Sequence, residues 1–315
     1  MNSKLRFKFS VVIAALALLA LAVPARAADT QAEGSFSRTL KVTGAVDLDV
    51  NTGSGSINVR TGDVSTVQIL GKIKSSDSWG RGSSISPEEK VRRIEANPPI
   101  EQTGNTIVIG KIEDRDLQNG VSISYEITVP AATKLRSHSG SGSITVDGLS
   151  SPLEAGTGSG GITLSNIGAE VRASTGSGSI HVRGVAGSFN GSTGSGDIEV
   201  QQTAPGDVDL QTGSGSIDLT GVKGGVRART GSGSIHVEGQ MKGDWRLHTS
   251  SGGVTVRLPQ GTAFDLAART SSGSIQTAHP ITVQGTIGRR ELSGKVLGGG
   301  PLLDVSTSSG SIRIE

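Results

Sequence analysis

Five histidines, regularly spaced carboxylates and arginines, and a glycine-serine motif written ten times are the parts of this 315-residue chain that could do chemistry. The motif, STGSGSIHV at 174–182, resembles a phosphate-cradling glycine loop. That use needs a following helix and usually a lysine, and ten copies would imply ten ligands. Calcium-binding solenoid turns need an Asp in every glycine turn, whereas only Asp197 occupies that slot. An ordered-water surface would need paired Thr-x-Thr arrays, which the copies lack. Serine hydrolysis needs an Asp–His pair at fixed spacing from the nucleophile, and none accompanies the repeated serines.

The histidines are His138, His181, His236, His248 and His279. Counted from the branched apolar residue that closes each motif, His181 and His236 share one outward column but lie three repeats apart. At strand spacing that is about 14 Å, too far to share a metal. His138 and His248 share another column, still farther apart. Asp49, Asp209 and Asp304 recur in one polar column with Arg136, Arg172, Arg227 and Arg246, the mixed charge of a solvated face. No catalytic, cofactor-binding or metal-ligating residue is assigned, and no cofactor is expected. The one exposed candidate is SSDSWGRGSS, where Trp79 and Arg81 offer a partner contact. The alternative is that Trp79 folds back over its own module.

What must position these groups is the repeat. The closing residues are Ile57, Ile144, Ile162, Ile180, Ile198, Ile217, Ile235, Val254, Ile275 and Ile312, with steps of 18 or 19 from Ile144 to Val254. A constant period marks stacked structural units. Gly stands two before each of these anchors and Ser three before; Thr stands five before in nine copies, with Ser139 the exception. The residue nine before is always apolar, Phe189 and Trp245 included, and polar and apolar residues alternate after the anchor. Alternation of period two means strands with one buried face. Each unit therefore reads as strand, corner, strand and looser return. One unit cannot offset the entropy of ordering its backbone, so stability must come from neighbours stacked about 4.8 Å apart. The corner glycines, Gly178 among them, are expected to supply positive φ where corners lie one above another.

The fold class predicted is all-β: a parallel β-helix or β-solenoid of about 18–19 residues per coil, with a small α+β insertion capping one end. The insertion (61–130) includes a strand near 64–73, a helix opened by Ser86-Pro87-Glu88-Glu89, a hairpin turning at Gly104-Asn105, and a strand from Val121 to Val129. Residues 278–302 read as a degenerate coil or hairpin near the other end, and 28–315 as a single solenoid domain.

Residues 1–27 read as a secretory signal peptide: Lys4, Arg6 and Lys8, an apolar run from Val11 to Val23, then Ala25-Arg26-Ala27. The run is shorter than a bilayer span needs, so no transmembrane anchor is expected after processing. Cleavage lowers Lys+Arg from 30 to 26 against 28 Asp+Glu, about −2 net, which removes the support for a nucleic-acid partner. The chain has no cysteine, which excludes disulfides and thiolate chemistry.

Two passages, SYEITVPAATKLRSHSGSGSITV and GGGPLLDVSTSSGSIRIE, resemble the exported bacterial "putative adhesin" domain family of unknown function, a family of glycine-rich solenoids. The resemblance implies an envelope or surface protein, periplasmic or extracellular. The expected function is a non-catalytic surface for binding or scaffolding, its partner an unidentified envelope protein or glycan. A carbohydrate-active β-helix enzyme and a self-assembling envelope scaffold are the alternatives.

Overall fold

The computed structural model describes residues 31–76, 85–283, 288 and 290–315. Each motif copy turns the chain between a strand before the corner and a strand after it. These pairs are numbered as rungs in chain order: rung 1 (46–61), rung 2 (133–147), rung 3 (153–167), rung 4 (171–185), rung 5 (189–202), rung 6 (208–222), rung 7 (226–239), rung 8 (245–257), rung 9 (264–277) and rung 10 (302–314).

Strands before the corner align in parallel and in register into a first sheet, and strands after it into a second. Alternation along each strand turns one set of side chains into the space between the sheets. The column nine before the anchor is buried from Leu48 to Leu303. Phe189 and Trp245 belong to that core, and the Trp245 indole donates to the Gly224 carbonyl at 2.9 Å. The fold is the parallel β-solenoid that the repeat implies.

The corner glycines differ from the expectation in their physical reason. Gly178 does not have positive φ, and among the glycines two before the anchor only Gly252 and Gly310 do, at 155° and 158°. What demands glycine is space. A Cβ on Gly178 would sit 1.9 Å from the Gly160 carbonyl oxygen, and Gly160, Gly196, Gly215 and Gly233 meet the rung before them in the same way. Left-handed backbone falls instead in the opposite bend, four after the anchor, at Gly148, Asn166, Gly184 and Gly221. Asn166, at φ 54°, is the non-glycine residue among them, and Asn is the side chain that tolerates this region best.

At the rung 1 end, Thr106–Ile109 pairs in parallel with the first sheet and Val121–Val129 with the second, forming a partial rung. Thr66–Ser76 and Gln31–Lys41 then continue the second sheet antiparallel. Helix α1 (Pro87–Ala96) packs on these last two strands through Val91 and Ile94, with Ser86 as its N-cap. Glu95 accepts the Ser35 N–H at 2.8 Å, so the helix also satisfies an edge-strand donor. A second, one-turn helix, α2 (Arg115–Gln118), lies between Thr106–Ile109 and Val121–Val129 in the chain.

At the far end the rungs do not stack in the order in which they are written. Rung 10 lies between rungs 8 and 9 in both sheets. Rung 9 is therefore the outer one, its first-sheet strand covered antiparallel by Glu291–Val296. Ile275, an inner anchor by pattern, is only half-buried there because no further rung covers it.

Candidate functional site

Stacking in register converts each position of the motif into a ladder running along the solenoid. The most regular ladder is inside the corner. In rungs 3 to 10 the threonine five before the anchor donates its hydroxyl to a glycine carbonyl of the neighbouring rung: Thr157 to Gly142 at 2.9 Å, Thr175 to Gly160 at 2.9 Å, Thr193 to Gly178 at 2.8 Å, while Thr52 in rung 1 donates to the Ile123 carbonyl of the partial rung at 2.7 Å. In rungs 3 to 6 the same oxygen accepts the N–H of the glycine three residues on in its own rung, as Gly178 to Thr175 at 3.1 Å, whereas Gly233, Gly252 and Gly310 donate instead to serine carbonyls of adjacent rungs. Ser139 makes both bonds in rung 2. Asp197, alone in the slot that calcium turns require, accepts the Ser216 N–H at 2.8 Å from the next rung. These groups are committed to holding corners together, which leaves the outer faces as the surfaces open to a partner.

On the first sheet the outward column eight before the anchor reads Asp49, Arg136, Glu154, Arg172, Asn190, Asp209, Arg227, Arg246, Asp304 and Ala267 in stack order. The expected residues do share one column, and opposite charges follow one another along much of it. Carboxylates one pleat away, which the sequence reading did not single out, complete the pattern. Arg136 reaches Asp47 at 3.4 Å, Arg172 reaches Glu170 at 2.8 Å and Arg246 reaches Asp244 at 2.9 Å. The signal was available, since these carboxylates stand ten residues before an anchor, on the same outward parity. Two open grooves of about 370 and 390 Å³ lie on this face and share Arg172 and Asn190. Joined, they run from Asp49 to Arg246, about 34 Å at strand spacing.

The histidines remain apart. His181 and His236 are separated by Glu199 and Asp218 in their column, and His181 Nδ1 lies 3.2 Å from Glu199 Oε2. His248 Nδ1 lies 2.9 Å from Ser306 Oγ, and His279 stacks edge-on against Phe264. Among the described residues no group of three His, Cys, Asp or Glu side chains is placed to hold a metal. His181→Ser is expected to change stability by no more than about 0.5 kcal/mol, because a half-exposed pair of this kind contributes little. Urea unfolding checks it; a loss above about 1 kcal/mol would overturn the assignment of that column to the wet face.

A second concavity, about 290 Å³, opens above the first corner, bounded by Asn51, Gly53, Gly110, Gln118, Ile123 and Tyr125. The Tyr125 hydroxyl is buried without a hydrogen-bond partner among the described residues, and burial pushes its phenol well above the ordinary tyrosine range. Tyr125 occupies the anchor column of the partial rung, in register with Ile57. Trp79 and Arg81, the expected partner contact, lie outside the described residues, as do residues 1–27, the expected leader.

Among solved structures the chain is similar to a protein described as a putative adhesin from Bacteroides fragilis, at 15% identity and a TM-score of 0.37, covering 90% of this chain and 97% of that one. It is also similar to one described as a putative cell adhesion protein from Clostridium sporogenes, at 14% identity and a TM-score of 0.18, covering 90% and 99%. No curated protein matches it. The family model Toastrack DUF4097 matches residues 100–315, which hold rungs 2 to 10 and the partial rung that pairs with rung 1, and the chain belongs to that family.

Proposed function

We propose that the chain is a non-catalytic, exported protein of the bacterial envelope whose outer first-sheet face is a binding or scaffolding surface for a glycan or an envelope protein. The observation that carries this is the ladder arrangement itself. Side chains able to do chemistry are strung one per rung along the stack, already bonded to neighbours of opposite character, and do not converge on a common point. Such an array offers many weak hydrogen bonds to an extended ligand and no concentrated reactive centre. Its aromatic side chains Phe189 and Trp245 are spent in the core, so recognition of a sugar chain would rest on Arg, Asp, Glu and Asn. Export is supported by the leader pattern at 1–27.

The test is to incubate purified mature chain with a panel of polysaccharides, measuring retention of the ligand and release of reducing or unsaturated ends. Retention without turnover is the expected result, weakened at least threefold in an Arg172→Ala/Asn190→Ala variant that joins the two grooves' shared positions. Reproducible turnover abolished by a single surface substitution would replace this reading with a carbohydrate-active enzyme.

A further inference from the structure

The displaced rung 10 has a consequence for association. Its slot is lined by two rungs that match each other as well as they match it. In the first sheet Trp245, Leu303 and Leu266 are consecutive partners, as are Thr249, Thr307 and Thr270. In the second, Val254, Ile312 and Ile275 are consecutive. The corner ladder passes through in the same way, Thr307 donating to the Gly252 carbonyl and Thr270 to the Gly310 carbonyl, both at 2.9 Å. The connection from rung 8 to rung 9, residues 258–263, is about as long as returns such as 203–207 and 240–244 that step by a single rung. Rungs 8 and 9 can therefore pair directly, with rung 10 left outside on its longer connection, residues 278–301.

We propose that the slot between rungs 8 and 9 is a strand-exchange site whose other occupant is rung 10 of a second copy of this chain. Exchange reproduces every backbone pairing of the single chain, so it costs no contact and only the entropy of association. The charges fit the same occupant: Asp304 is in register with Arg246, and Glu315 accepts from Arg257 at 3.1 Å. Both rungs that close the slot precede rung 10 in the sequence, so chains that fold through the closed arrangement present an unpaired rung 10 to one another. This inference stands apart from the ligand reading above, because it concerns the end of the stack and not the sheet face.

The chain has no cysteine, so a designed pair reports cleanly. Arg246→Cys/Asp304→Cys places two thiols on adjacent strands in register, about 4.8 Å apart. The variant is unfolded, refolded at low and at high protein concentration, oxidised, and run on a denaturing gel without reductant. Covalent dimers whose share rises in proportion to concentration are the expected result. Disulfides formed only within single chains at every concentration would overturn exchange, including the case where dimers form by edge contact alone. Native mass spectrometry of the unsubstituted chain after the same refolding gives an independent reading: a dimer that resists dilution supports exchange, and monomer throughout opposes it.

Discussion

Gly178→Ala is expected to lower the unfolding free energy by about 3 kcal/mol, near the upper end for a single methyl group. The added carbon would lie 1.9 Å from the Gly160 carbonyl oxygen and 2.5 Å from its carbon. Both are backbone atoms, so no rotamer change relieves the overlap. The rungs on either side are fixed by their own bonds, with Gly176 donating to Gly158 and Ile162 to the Ser179 carbonyl. Separating them enough to admit a methyl group breaks several hydrogen bonds at once, each worth about 1 kcal/mol. Gly53→Ala is the control, since a Cβ there meets nothing within 4 Å, and its effect is expected to stay within about 0.5 kcal/mol. Urea unfolding followed by circular dichroism measures both. A Gly178→Ala variant as stable as the parent would remove the steric account of why the motif is written in glycine.

The same position shows where sequence reasoning succeeds and where its physics slips. Periodicity identifies a column that must be glycine, because a spacing of 18 or 19 stacks like upon like. It does not distinguish a glycine required for φ from one required for volume, since both leave the same letter. The left-handed residues are in the looser return, where Gly148, Asn166 and Gly184 vary in type and the pattern is correspondingly faint. Inward and outward parity was fully readable: Leu48, Phe189 and Trp245 are buried as their positions demand. The α1 helix was readable too, because Ser86 and Pro87 are local signals that need no tertiary partner.

Rung order was not legible, for a physical reason. A stack of near-identical rungs has near-identical neighbour energies, so Ile312 pairs as well between Val254 and Ile275 as it would beyond Ile275. What selects among such orders is the connection, and residues 278–301 carry no repeat from which to read it. The charge ladder was half legible. Arg136 and Asp49 share a column by count, but the contact of Arg136 with Asp47 at 3.4 Å depends on side-chain reach across a pleat. The concavity beside Tyr125 arises where a partial rung lacks the corner that every full rung has, and missing structure leaves no motif.

Thr212→Val is the substitution that separates hydrogen bonding from packing in the corner, and it is expected to cost about 2–4 kcal/mol. Thr212 is 3% exposed; its hydroxyl donates to the Gly196 carbonyl at 2.9 Å and accepts from the Gly215 N–H at 3.1 Å. Valine keeps the shape and removes both bonds. It leaves a buried carbonyl on one rung and a buried N–H on the next, each costing about 1–3 kcal/mol when unpaired. Thr212→Ser should lose far less, about 0.8 kcal/mol for one buried methyl, because serine retains the oxygen. Rung 2 already carries that substitution: Ser139 donates to the Gly55 carbonyl at 2.9 Å and accepts from Gly142 at 2.8 Å. The ordering of the two variants in urea unfolding is therefore the measurement that matters. If valine were tolerated as well as serine, the corner would be held by packing alone, and threonine at this position in nine of ten copies would need another cause. If serine is the milder change, the hydroxyl column is what ties each rung to the next, and the stiffness of the outer faces derives from it.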